Sequence, residues 1–235
     1  MWYPQKKEEL EREINAFLSQ ESDREMGKIN GLIVPHAGYD FSGKIAGKAF
    51  SLAKNQKINR AIVLGPSHYL PLSGILTSNK KIWDTPLGEV KISDTDFKKS
   101  KIEQEHSIDN QIPFLQKLGI REILPLMVGE ITNEQANDIA QKLLKIPALY
   151  VFSTDLSHFF PYEKATQKDK QTIKLIENLD LQNFYKVDAC GFFPLLIMTH
   201  LCRLKNWKPH LIEYKNSGDI TGEKESVVGY SSFYF

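Results

Sequence analysis

The chain has 235 residues, 41% of them hydrophobic and 25% charged, and its 30 basic and 29 acidic side chains leave a formal net charge of +1. That length can bury a substantial core, and the even charge balance excludes a global field that would draw nucleic acid or an anionic membrane. No apolar run approaches a membrane span, the start MWYPQKKEEL lacks a signal-peptide pattern, and two cysteines are too few for a disulfide framework. A neutral, globular protein of a reducing cytoplasm is expected.

Residues 4–19 read as an amphipathic helix, with Pro4 near its first turn and Leu10, Ile14, Phe17 and Leu18 on one stripe. INGLIV (29–34) is a short β-branched run ended by Pro35, hence a strand. Ser42 is placed to cap a helix running to about Ala53. AIVL (61–64) is a second buried strand, stopped by Gly65-Pro66. Residues 72–83 suggest a pair of β segments, and DTPLGEVKI holds the turn of a further hairpin. A helix is expected over 108–118 in spite of Pro113, which a first turn or a kink tolerates. Then come a strand at 122–128, a helix at 133–144 and a third buried strand at 148–153. Helices follow at 162–178 and 181–187, with a nearly all-apolar one over 190–204. The final stretch alternates polar and apolar residues about a Gly/Asp-rich turn, the pattern of a terminal antiparallel hairpin.

Buried strands alternating with helices imply an α/β fold: one domain over 1–235, with residues 1–28 an N-terminal helical extension, and a mainly parallel central sheet with helices on both faces. In such sheets ligands sit beyond the carboxyl ends of strands. VPHAGY, LGPSH and STDLSH each deliver a His or Asp at such an end: His36, His68, and the pair Asp155 and His158. DACG adds Cys190 at a helix start.

A lone histidine after a strand is most often a structural residue, but three of six histidines in the same position change that reading. His200 and His210 lack the context and read as structural or surface residues; His106, in QEHSID, either lines the rim or helps start a helix with Ser107. Two imidazoles and a thiolate suit iron, zinc or copper rather than magnesium or calcium. A helix start lowers a thiol pKa, and three ligands leave open coordination positions. Asp155 then orients a ligand imidazole or joins the coordination sphere, and His158 serves as general base. The same residues also compose a Cys190–His–Asp155 nucleophilic triad. No G-x-S-x-G elbow, P-loop or dinucleotide fingerprint occurs, so neither a serine hydrolase nor a nucleotide cofactor is expected. Trp2, Trp83, Trp207 and the many tyrosines offer material for a peptide groove, though most aromatics are core residues.

VPHAGYDFSG (34–43), LGPSHYLPLSG (64–74), EHSIDNQIPFL (105–115), STDLSHF (153–159) and DACGFFP (188–194) together resemble the Memo family, known in bacteria and archaea as AmmeMemoRadiSam system protein B. NSGDITGEKESVVGYSSFYF looks like that family's terminal hairpin, so the resemblance covers residues 29–235. It implies a fold similar to class III extradiol ring-cleaving dioxygenases. It also implies a mononuclear Fe(II) or copper ion, with zinc admissible, held by His36, His68 and Cys190. Cys190 stands where those dioxygenases carry a carboxylate, a departure that weighs against ring cleavage. His158 matches the acid/base histidine, and Asp155 belongs to the same cluster. Glu105, His106 and Tyr39 are expected near the rim. The implied occupant of the cleft is a small molecule or a peptide. Its functional readings are a redox or dioxygenase-like metalloprotein, a non-enzymatic peptide- or phosphopeptide-binding module, or a cysteine hydrolase. The oligomeric state stays open.

Overall fold

The computed structural model describes residues 2–19 and 27–235; residues 20–26, within the expected N-terminal extension, lie outside the described residues. Helix α1 (Lys7–Leu18) buries the four residues of the predicted stripe, and strand β1 (Gly31–Val34) is buried along its whole length. The next helix begins earlier than the Ser42 cap predicts. A π-helical turn over Tyr39–Gly43 leads directly into α2 (Lys44–Leu52). Gly38 starts this turn, its carbonyl accepting from the Phe41 and Ser42 N–H groups. Ser42 Oγ is therefore free to donate backward to the Ala37 carbonyl, at 2.9 Å, instead of capping.

Strand β2 (Arg60–Pro66) follows, then β3 (Ile75–Ser78), β4 (Ile82–Thr85), β5 (Gly88–Ile92) and the short β6 (Lys99–Ser100). β4 and β5 form the predicted hairpin, whereas β3 pairs with other strands, so residues 72–83 are not a hairpin of their own. The helix expected over 108–118 is two: α3 (His106–Asp109) and α4 (Ile112–Lys117), with Pro113 in the first turn of the second. The break falls at Asn110 and Gln111, whose amides bond backbone carbonyls near β1.

Strand β7 (Glu122–Val128), helix α5 (Asn133–Leu143) with a Thr132/Gln135 capping box, and strand β8 (Leu149–Ser153) match the pattern closely. A short strand β9 (His158–Phe160) has no counterpart in the sequence reading. Helix α6 (Tyr162–Glu177) is followed by a single 3-10 turn, Phe184–Lys186, where a longer helix was expected. Helix α7 (Phe192–Lys205) starts after Gly191, leaving Cys190 just outside it. Strands β10 (His210–Asn216) and β11 (Val227–Tyr234) make the terminal antiparallel pair, joined through the short helix α8 (Ser217–Thr221).

The sheet runs β10-β11-β1-β8-β2-β7-β3-β6, with β5 also on β7, β4 on β5, and β9 on β11. Pairing is parallel from β1 through β8 and β2 to β7, and antiparallel toward the terminal strands. Side chains alternate across this parallel core. Leu32, Val34, Ala61, Val63, Leu149 and Val151 pack with α1, α2 and α4 on one face. Ile33, Ile62, Leu64, Tyr150 and Phe152 pack with α5, α6 and α7 on the other. Because β8 is inserted between β1 and β2, three strands distant in sequence end side by side. Among the described residues no helix is long and apolar enough to cross a membrane.

Candidate functional site

His36 follows β1 by two residues, His68 follows β2 by two, and Asp155 follows β8 by two. The side-by-side ending of these strands brings all three to one rim. Cys190 arrives from the opposite face, on the loop before α7, and its N–H donates to the Asp155 carbonyl at 3.2 Å. Gly191 permits this approach: a Cβ there would stand 2.5 Å from Thr154 Cβ, and the Gly191 N–H bonds Thr154 Oγ1 at 2.9 Å. Gly65 does the same for α3, since a Cβ would meet Ser107 Oγ at 2.3 Å. One ligand-capable atom each of His36, His68 and Cys190 then lies within 4.8 Å of the other two.

Both imidazoles are held through Nδ1. His36 Nδ1 lies 2.9 Å from Ser153 Oγ, which also accepts from Gln111 Nε2 at 3.0 Å. Ser153 faces that way because side chains alternate along β8, with Val151 on the α2 and α4 side and Phe152 on the other. His68 Nδ1 donates to Glu105 Oε1 at 2.8 Å, and the His68 N–H donates to Oε2 at 2.8 Å. An ionised carboxylate only accepts, so the His68 proton sits on Nδ1 and the lone pair on Nε2. Burial raises the Glu105 pKa, but the His68 ring, the His68 N–H and the Ser107 N–H outweigh it and hold the pKa down at about 2.

Cys190 Sγ lies 3.2 Å from His36 Nε2 and accepts the Asp155 N–H at 3.2 Å. The helix-start argument expected a lowered thiol pKa. The structure reverses the sign in the metal-free protein, because burial and the Asp155 carboxylate push the thiol up, and Cys190 precedes the helix rather than opening it. Asp155 Oδ1 accepts the His36 N–H at 2.8 Å while Oδ2 stands 4.0 Å from His36 Nε2. Burial lifts its pKa to about 6 against the pull of the His36 N–H and of His158. Burial drives His36 well below the usual imidazole value, and the neighbouring His68 adds to this. His158 is half-buried on β9, close enough for its charge to act on both His36 and Asp155.

The residues expected at the rim divide. Glu105 is buried beneath His68 as its anchor, so it is a support rather than a rim residue. Tyr39 is also buried, its hydroxyl donating to the Asn110 carbonyl at 2.7 Å, and does not line the rim. His106 both starts α3 and joins the cluster, with ring centroids 4.4 Å from His68 and 5.3 Å from His36. Its Nδ1 meets the Tyr69 hydroxyl at 2.9 Å, and the Trp2 indole stacks on it at 4.0 Å and 8°. Sequence reasoning missed Ser153, Asn110, Gln111 and this role for Trp2. The first three stand inside or beside the quoted motifs, where a polar residue ending a buried strand or following a short helix is the available signal. Nothing local marks Trp2.

A family description, Memo-like protein, matches residues 1–234. The chain belongs to the Memo family. Similar relatives include a MEMO1 family protein of Thermoplasma volcanium, 33% identical with 98% of this chain and 94% of the relative covered. One from Sulfurisphaera tokodaii is 34% identical over 86% and 81%, and one from Methanobrevibacter smithii is 34% identical over 100% and 96%. A crystal structure of an uncharacterized protein from Escherichia coli K12 shares the fold, with a TM-score of 0.55 and 12% identity over 88% of this chain and 100% of that one. The Memo match begins at residue 1, so it takes in the α1 segment along with the domain that the motifs span.

The donor set of this Memo protein fits one soft or borderline ion. Around a tetrahedral ion with metal–nitrogen and metal–sulfur lengths of about 2.1 and 2.3 Å, the donors stand roughly 3.5 Å apart; the His36 and Cys190 atoms are 3.2 Å apart. Glu105 fixes the His68 tautomer with Nε2 free, and the same use of His36 needs its proton on Nδ1, donated to Ser153 Oγ.

Proposed function

We propose that this chain is a mononuclear metalloprotein, holding Fe(II) or copper through His36, His68 and Cys190. We further propose that it acts in redox or dioxygenase-like chemistry on a small molecule in the cleft. The observation that carries this reading is the pair of Nδ1 contacts, Ser153 to His36 and Glu105 to His68, which occupy Nδ1 of both rings beside a half-buried sulfur. Anchoring of this kind fixes tautomer and ring orientation in metal sites. Zinc fits the same donors, and magnesium and calcium do not. When bound, the ion would supply Lewis acidity and one-electron chemistry. The thiolate makes the set softer than a two-histidine, one-carboxylate triad, which favours a redox role over ring cleavage.

Asp155 and His158 are the proposed proton-handling pair. Asp155, with its pKa raised to about 6, holds or releases a proton near neutrality while fixing the His36 backbone. His158 stands at the half-open side as general base. Both cysteines are free thiols, and a site that needs one suits a reducing compartment such as the cytoplasm. Metal analysis after anaerobic, reducing purification tests the reading. One ion per chain is expected, lost in the His36→Ala, Cys190→Ser double variant; stoichiometric metal surviving in that variant overturns the ligand set.

A second reading, a peptide-binding module, is favoured by one observation. Trp2, Tyr69 and Phe159 expose their rings beside the cluster, and Phe159 does so from a positive φ of 63°. Peptide titration separates the readings: affinity unchanged by His68→Ala disconnects binding from the cluster.

A further inference from the structure

A cleft of about 580 Å³ lies at the other rim of the sheet, where Lys28–Asn30, Lys57–Arg60 and Pro147–Ala148 lead into β1, β2 and β8. Its charge is out of proportion to the chain. The protein as a whole carries 30 basic and 29 acidic side chains, whereas this cleft is lined by Lys28, Lys57, Arg60 and Lys205 against one acid, Glu122. Glu122 is already engaged, by Arg60 Nη2 at 3.1 Å, Lys91 at 3.7 Å and Ser93 Oγ at 2.9 Å. Lys28, Lys57 and Lys205 have no ion-pair partner among the described residues. Arg60 Nε is shielded from water with no hydrogen-bond partner there.

Part of the lining is apolar. Trp207 is half-buried, stacked on Phe235 at 5.9 Å and 30°, and 6.1 Å from Tyr150. Ile29 and Tyr150 beside it are buried. Lysines scattered on a surface need no ligand, but here the surplus cations line a concavity that an indole also lines. An apolar lining with a few convergent polar groups, in this range of volume, is the form of a small-molecule site.

We propose that this cleft binds a small planar organic anion, with its ring against Trp207 and Ile29 and its phosphate or carboxylate among Lys57, Arg60 and Lys205. Charge alone would hold inorganic phosphate equally well; the indole is what selects a ring. The site shares no residue with the His36, His68 and Cys190 cluster, so its test is independent of the metal reading.

Calorimetric titration of the intact chain with adenosine monophosphate, indole-3-carboxylate and inorganic phosphate tests it and separates the phosphate and carboxylate sources. At least one planar anion is expected to saturate, roughly tenfold or more tighter than inorganic phosphate, and to weaken at least tenfold in the Lys57→Gln, Lys205→Gln double variant. Both lysines are exposed, so the variant keeps its fold. Trp207→Leu is expected to narrow the gap to inorganic phosphate. Absence of saturation by either planar anion, equal affinity for inorganic phosphate, or affinity unchanged in the lysine double variant overturns the proposal.

Discussion

His36 and His106 are buried beside other imidazoles, and in the metal-free protein both are held neutral. Burial is the main cause for each, with the neighbouring histidines adding to it, and it brings His106 down to about 3. The unfolded chain protonates both near 6.5, so below that pH it binds more protons than the fold, and stability falls with acidification. Asp155 works in the opposite sense. Its folded pKa is raised to about 6 from 3.8, so between those values the fold binds the proton first and gains. Two histidines against one carboxylate leave a net loss of stability between pH 7 and pH 5. Below about pH 4.5 Glu105, held at about 2, adds a further loss. Urea midpoints of metal-free protein at pH 7 and pH 5 check this: the midpoint is expected to drop, and to drop less in His106→Gln. A midpoint that rises toward pH 5 contradicts neutral imidazoles. The sequence made His36, His68, Asp155 and Cys190 legible, because each follows an apolar run or stands just before a helix. It did not make the thiol's raised pKa legible, since that depends on burial against Asp155, 35 residues away.

The strand ends were the readable elements; the helix ends beside the site were not. β1, β2, β7 and β8 announce themselves as short apolar runs, while the break between α3 and α4 falls where Pro113 has no N–H to donate to the Asp109 carbonyl. Asn110 and Gln111 keep right-handed helical backbone angles there, while their side-chain amides bond the His36 and Pro35 carbonyls and tie the junction to β1. α7 shows the same dependence at its start. Pattern alone carries the helix through Cys190, but Gly191 presses against Thr154 and ends it there. Gly191→Ala would place a Cβ 2.5 Å from Thr154 Cβ and 2.9 Å from the Ser153 carbonyl, which belongs to a fully buried strand. The strand does not yield cheaply, so the loop carrying Cys190 is expected to move instead. A loss of about 1–3 kcal/mol, as for overpacking in a core, should appear as a lower Tm. Weaker metal retention against a chelator should accompany it. A variant with unchanged Tm and metal content would show that the loop tolerates a wider spacing and that the close contact is incidental.

The insertion of β8 between β1 and β2 is what turns separated strings into one site, and no local pattern encodes it. Strand order is a property of the whole chain, in which β8 returns past β2 to pair with both β1 and β2. The consequence is thermodynamic. The three proposed donors come from positions 36, 68 and 190, so the unfolded chain cannot present them together, and an ion that binds them favours the folded state alone. At a free concentration about a hundredfold above its dissociation constant, such an ion adds about 2.7 kcal/mol of stability. For a domain of this length each kcal/mol moves Tm by roughly 2–4 °C, so anaerobic Fe(II) should raise Tm by roughly 5–10 °C. A chelator should reverse the shift, and the His36→Ala, Cys190→Ser variant should show none. The Trp2 indole, one ring removed from His68 through His106, supplies a local signal for the same titration, since a paramagnetic ion at that distance quenches its fluorescence. Stabilisation that persists in the double variant would place the ion elsewhere. A quenched Trp2 without any change in Tm would mean that the ion also binds the unfolded chain, which donors this far apart in sequence do not allow.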